Sequence, residues 1–253
     1  PNIQINSVAG TQHFTFAMDT RAEPYNNPDV RLALKYGINR QELVDKILFG
    51  YGSVGNDHPI GQGQRYFNTE LAQKTYDPDK AKFHLKQAGL DSLDVKLSAA
   101  DAAFGGAVDA AVLYQSSAAG AGINLTPVRE ANDGYWSDVW MKKPFCAVYW
   151  SGRPVEDQMF ATAYKCGAAW NDSFWCNDRF DELMLKARSE LDEAKRREMY
   201  FEMQQICSDD GGVIVPMFAN YVFGNSNKIA HSDTLGANWD VDGMRFIERW
   251  WMA

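Results

Sequence analysis

The stretch "YWSGRPVEDQMF", residues 149–160, sets one arginine in a glycine–proline turn, after a tryptophan and before two acids. A guanidinium presents a planar fork that fits a carboxylate or a phosphate. Beside Arg153, Trp150 offers a flat apolar wall, and Gly152 lets a backbone come close. Two readings stand side by side. In one, Arg153 is aimed at something the protein must hold. Otherwise it pairs with Glu156 or Asp157, a surface contact of about 0–1 kcal/mol.

Other chemistry-bearing residues do not converge. "GYGSVG" (50–55) matches the spacing of a dinucleotide-binding loop, which works only between a strand and a helix N-terminus. Here it follows a helix end and leads into irregular chain, so its glycines read as turn residues. His13, His58, His84 and His231 are scattered, without HxH or HxxxH spacing. No GxSxG, P-loop or HExxH motif occurs. The acid pairs Glu156–Asp157 and Asp209–Asp210 fall in a turn and at a helix end, where acids are usually solvated. Cys146, Cys166, Cys176 and Cys207 form no CxxC, which speaks against zinc or thioredoxin-type chemistry. No catalytic residue, metal site or cofactor is expected.

The elements that must carry the turn follow from patterning. At 253 residues the chain can bury a substantial core, and its 45% hydrophobic and 23% charged residues are ordinary for a globular protein. A net charge of −8 argues against nucleic acid or an anionic membrane as partner. No run of 18 apolar residues exists, so no direct membrane insertion is expected. "HFTFAM" (13–18) alternates as a strand. "NNPDVRLALKYGINRQELVDKILFG" reads as two helices, the second opened by the Asn39–Glu42 capping pattern and closed by Gly50. An irregular stretch spans 50–76. Asp77, Pro78 and Gly89 then mark the cap, first turn and stop of a helix. "LDVKLSA", a small-residue helix and "INLTPVRE" have the order of a parallel crossover. "PFCAVYW" (144–150) reads as a strand buried on both faces. Asn177 caps a helix carrying Phe180, Leu183, Met184 and Ala187. The next helix shows Met199, Met203 and Ile206 on one face, "VIVPMF" and "NYVFGN" read as two late strands, and the tail "MRFIERWWMA" is apolar. The class is α/β, a mixed or parallel sheet flanked by helices.

Four of these segments together resemble family 5 solute-binding proteins, the dipeptide, oligopeptide and nickel receptors of ABC importers. "NNPDVRLALKYGINRQELVDKILFGYG" is similar to their paired helices and "YDPDKAKFHLKQAGL" to the helix that follows. "GAGINLTPV" matches a strand, and "NDSFWCNDRFDELMLKA" the stretch before an Asp-rich helix. The resemblance covers most of residues 12–220. It implies a type II periplasmic binding protein-like lobe that binds a small solute and serves a membrane permease from the periplasm. Family members are longer, with two lobes and a C-terminal return to the first. The chain starts at Pro1 without a signal-peptide pattern. The expected organisation is therefore a crossing segment at 1–12, the second lobe at 13–215 and a returning segment at 216–253.

The resemblance also implies a disulfide between Cys166 and Cys176, closing a small loop that contributes roughly 2–3 kcal/mol in an oxidising compartment. Cys146 and Cys207 read as small hydrophobes. In the family's peptide receptors the matching turn reads tryptophan-threonine-glycine-aspartate, and that aspartate meets the ligand's α-amino group. "WSGRPVEDQMF" aligns with Trp150, Ser151, Gly152 and Phe160 in place, and puts Arg153 where the aspartate would be, so the resemblance implies a ligand-binding turn made of Tyr149, Trp150, Ser151, Gly152 and Arg153, with Arg153 facing an acidic group. The inverted charge points away from a peptide N-terminus and toward a peptide-like or other solute bearing an acidic group. A hydrolase, or a sensor module, with a site of another pattern is the alternative.

Overall fold

The structure, a computed structural model, describes residues 2–253. Six strands build one mixed sheet: β1 (Ile3–Met18), β2 (Gly52–Val54), β3 (Leu93–Ala99), β4 (Ile123–Arg129), β5 (Phe145–Trp150) and β6 (Val213–Ser226). Their spatial order is β2-β6-β1-β5-β3-β4. The pairs β3–β4 and β3–β5 are parallel, as the crossover pattern predicts, while β1 runs antiparallel to both β5 and β6. A small antiparallel pair, β7 (Ile229–Ala230) and β8 (Trp251–Met252), lies apart.

Eight helices flank the sheet: α1 (Pro28–Tyr36), α2 (Arg40–Ile47), α3 (Pro78–Gln87), α4 (Ala107–Ala119), α5 (Tyr135–Asp138), α6 (Glu156–Ala163), α7 (Asp178–Ser189) and α8 (Glu193–Asp210). Side-chain caps set five of these starts. Side chains of Asn39, Asp77 and Asn177 accept the backbone N–H of Glu42, Lys80 and Phe180, each satisfying a donor that the first helical turn leaves free. The core centres on β1, where Phe16 packs against Tyr114 of α4 and Phe145 of β5. The Tyr114 hydroxyl donates to the Leu34 carbonyl at 2.7 Å and so ties α4 to α1. At the far end of α8, the buried Lys35 ammonium donates to the carbonyls of Cys207, Ser208 and Gly211, placing a cation where the helix dipole is negative.

The two long central strands differ from expectation. β6 is one strand and not two. Two irregularities absorb what reads in the sequence as breaks. Opposite Phe14–Phe16, β6 carries one extra residue, so Pro216 falls in a bulge where its missing N–H is tolerated. Opposite Phe218–Asn220, β1 carries two extra residues, placing Thr11 in a second bulge. Beyond it, Ile3–Ala9 and Asn220–Ser226 continue as a two-stranded ribbon, leaving Ile3, Ile5 and Val222 exposed. The boundaries expected near residues 12 and 215 thus each fall inside a continuous strand.

Smaller corrections follow. The stretch 50–76 contains the short strand β2, and Gly55 lies so close to the Val215 carbonyl that no side chain fits there. The buried face of α8 is Tyr200, Met203, Gln204, Cys207 and Ser208, with Met199 and Ile206 at its margin. The acid pairs are structural and not merely solvated. Glu156 is buried and accepts the Tyr66 N–H at 2.7 Å, and Asp157 pairs with Arg188. Asp209 pairs with Lys74, and Asp210 with Arg31.

Candidate ligand-binding cleft

β5 delivers its last residues to the carboxyl end of the parallel strands, where open α/β sheets hold their ligands. Tyr149 pairs across β1 with Phe14, and Trp150 with His13. The expectation of a strand buried on both faces fails at Tyr149, which is 42% exposed; its ring points into a cleft of about 470 Å³. Tyr149, Trp150, Ser151 and Arg153 line this cleft, so the structure brings together four of the five turn residues read from the sequence.

Gly152, the fifth, has a different task. Its φ is +79°, and a Cβ there would lie 2.6 Å from the Thr11 carbonyl oxygen and closer still to Thr11 Oγ1. The bulge in β1 pushes Thr11 against the turn, and only glycine accommodates both the close approach and the left-handed backbone. The tight backbone contact in this structure is with β1.

Arg153 does not pair with either nearby acid. Glu156 is held by the Tyr66 N–H and Asp157 by Arg188. The Arg153 guanidinium bonds the neighbouring Gly152 carbonyl at 2.6 Å, and among the described residues no carboxylate forms an ion pair with it. The irregular stretch 50–76 buttresses this turn from behind. Gln64 donates to the Arg153 carbonyl at 3.3 Å, and Tyr66 holds Glu156. Arg153 also acts on His13, whose buried ring gives its Nδ1–H to the Thr11 carbonyl. Burial pushes the His13 pKa down to about 4, and the positive charge of Arg153 pushes the same way.

Three further rings complete the wall. Trp136 and Trp140 come from α5 and the turn after it, which Tyr135 pins to the sheet by donating to the Ala147 carbonyl at 2.8 Å. Trp170 comes from the loop closed by the Cys166–Cys176 disulfide, which is present as expected, while Cys146 and Cys207 are free and buried. That loop is firmly seated: buried Asn171 donates to the carbonyls of Lys165 and Trp175, and Thr20 donates to the Ser173 carbonyl. The rings meet edge to face, Trp136 with Tyr149 at 5.5 Å and with Trp140 at 5.9 Å, and Trp140 with Trp170 at 6.4 Å. Behind them the Trp140 N–H donates to buried Asp172 at 3.1 Å. Burial raises the Asp172 pKa to about 7, opposed by that hydrogen bond.

Three of the four histidines have partners that suit no nucleophile–base pair: His13 the Thr11 carbonyl, His84 the Asp29 carboxylate and His231 the Ser232 carbonyl; the fourth, His58, is buried beside the Phe67 ring. Among the described residues no group of three or more His, Cys, Asp or Glu is placed to hold a metal ion, and no helix is long and apolar enough to cross a membrane. The arrangement can hold a molecule against rings and one cation.

This mixed sheet flanked by helices has the fold of a type II periplasmic binding protein-like lobe. Over its whole length the chain superposes with TM-score 0.82 on the periplasmic binding protein DppA of Helicobacter pylori, solved with the peptide STSA, at 22% identity and over 49% of that chain. Residues 1–172 match the model of bacterial extracellular solute-binding proteins, family 5 (middle), and the chain belongs to that family. It is 27% identical to the dipeptide-binding protein of Escherichia coli K12 over 85% of this chain and 42% of that protein. It is 30% identical to di/tripeptide-binding protein 2 of Pseudomonas aeruginosa over 75% of this chain and 37% of that protein. The chain therefore spans about two fifths of the length of these curated relatives.

Proposed function

We propose that the chain is the second lobe of an extracytoplasmic solute receptor, which closes with a first lobe around a small, acid-bearing molecule and presents it to an ABC permease. Residues 13–215 form the lobe in this reading, and residues 1–12 and 216–253 reach toward the first. The relatives named above are binding proteins and not enzymes, which favours capture over turnover. One observation carries the ligand reading: Arg153 stands in an aromatic cleft without a carboxylate partner, on a turn whose nearby acids are both engaged elsewhere. A half-buried cation left unpaired is costly, and a ligand carboxylate would supply the missing charge-assisted bonds. The exposed apolar residues of the ribbon and of 244–252 support a second body on that side.

The test is native mass spectrometry of the intact gene product that contains this chain, purified without refolding, followed by calorimetry with whatever acid it retains. Removing one partner of a buried charge pair costs about 2–5 kcal/mol, so Arg153→Ala should weaken binding by about 30-fold or more. Unchanged affinity would remove Arg153 from the site.

A further inference from the structure

The cleft also restricts the uncharged part of the ligand, an inference that rests on the reading of Arg153 just given. Trp136, Tyr149 and Trp170 stand 41%, 42% and 50% exposed around it, whereas Phe14, Phe16, Phe145, Phe160 and Phe180 are all buried. Each of the three open rings is braced edge-on by another ring, so the wall is preformed and exposes π surface at fixed angles.

Its polar equipment is sparse. Besides Ser151 and Arg153, the lining offers the Tyr149 hydroxyl and the indole N–H groups of Trp136 and Trp170, since the Trp140 N–H is already taken by Asp172. A sugar ring entering against these tryptophans would leave most of its hydroxyls without partners on this wall, a penalty that aromatic contact does not repay. A cationic group suits aromatic faces, yet here it would meet the unpaired charge of Arg153. An alkyl chain would fill the space without the ring-to-ring geometry that the edge-on rings offer. We infer that the cleft takes an aryl carboxylate: a flat aromatic ring against Trp136, Trp140 and Trp170, with its carboxylate on Arg153. A short peptide ending in an aromatic residue carries the same two groups.

Fluorine NMR on the intact gene product that contains this chain tests the inference with three probes: 4-fluorophenylacetate, its neutral amide 4-fluorophenylacetamide, and the aliphatic acid 6-fluorohexanoate. The aryl acid should bind about 10-fold more tightly than the amide, the size of one charge-assisted contact. It should bind about 3–10-fold more tightly than the aliphatic acid, the size of an aromatic pair. Arg153→Gln should bring the aryl acid and amide to equal affinity. Trp170→Leu, or Trp136→Leu should the first melt early, should bring the aryl and aliphatic acids together. Equal binding of the two acids to the unaltered chain overturns the aromatic assignment while sparing the anion site. Equal binding of acid and amide, insensitive to Arg153→Gln, overturns the anion reading itself. No line broadening with any probe up to about 10 mM overturns both.

Discussion

Arg40 and Asp57 form an ion pair with 3% and 0% of their side chains exposed, the guanidinium Nη2 reaching both carboxylate oxygens at 2.8 and 2.7 Å. Asp57 also accepts the Val215 N–H at 3.1 Å, a donor released from the ladder where β6 bulges. The pair thus anchors the 50–76 stretch to α2 and to the sheet, and that stretch supports the turn bearing Arg153. Arg40→Met would leave a buried carboxylate facing one N–H. Breaking a buried pair from one side costs about 3–5 kcal/mol. For a chain of this size that corresponds to a fall in Tm of roughly 6–20 °C. Asp57 sits at φ 61°, which asparagine tolerates, and the amide oxygen introduced by Asp57→Asn still accepts from Val215. The double variant Arg40→Met/Asp57→Asn should therefore recover more than half of the loss, as replaced buried pairs often do. Urea unfolding of the wild type and three variants, read by far-ultraviolet circular dichroism, gives the cycle. A single-variant loss under about 1 kcal/mol, or a double variant no better than Arg40→Met, would refute the assignment of this pair as the anchor.

Other consequences are measurable. Gly152→Ala should cost at least about 2 kcal/mol, since the left-handed backbone alone disfavours alanine by roughly 1–2 kcal/mol and the Thr11 contact adds to it; a thermal melt within about 1 °C of wild type would contradict this. Ellman titration of the unfolded chain should find two thiols before reduction and four after it, and reduction should destabilise the fold by about 2–3 kcal/mol in urea. The pH dependence has two opposed parts. Burial lowers the His13 and His58 pKa values from 6.5 to about 4 and about 3, so stability is full above pH 6.5 and is lost as pH falls, because only the unfolded chain takes up those protons. Asp172, raised from 3.8 to about 7, does the reverse: the folded chain keeps its proton, and stability falls as pH rises through that window. Two protons against one leaves a net gain of about 1.4 kcal/mol per pH unit between about pH 5 and 6, and Asp172→Asn should roughly double the slope. A slope of opposite sign, by denaturation at stepped pH, would contradict it.

What the sequence discloses is what neighbours in the chain decide. The caps at Asn39, Asp77 and Asn177 are visible because donor and acceptor lie three residues apart. The crossover through α4 is visible because its strands carry clean alternation. The Trp150–Arg153 turn is visible too, as an odd charge among turn residues. The rest of the cleft is not. Trp136, Trp140 and Trp170 are separated from the turn by up to seventeen positions on either side, and nothing local distinguishes them from core tryptophans; the pair at i, i+4 in "YWSDVW" is the one available hint. The fate of Glu156 is decided by Tyr66, ninety residues away. The length of β1 is hidden for another reason: in a ribbon outside the main sheet, with its β1 residues largely exposed, it needs no apolar run, and "IQINSVAGTQ" shows none.

That ribbon has a mechanical meaning. Two hydrogen-bonded strands form a strip that flexes easily across its thickness and resists shear within its plane, because in-plane motion would slide the ladder out of register. Trp250 packs on Phe223, so the terminal segment lies against the ribbon. The natural pivot of such a bend is the bulge at Thr11, where the ribbon leaves the main sheet. Gly152 rests on that same residue. A bend of the strip therefore begins one van der Waals contact away from Arg153, and the displacement at the tip and the shape of the aromatic cleft share a fulcrum.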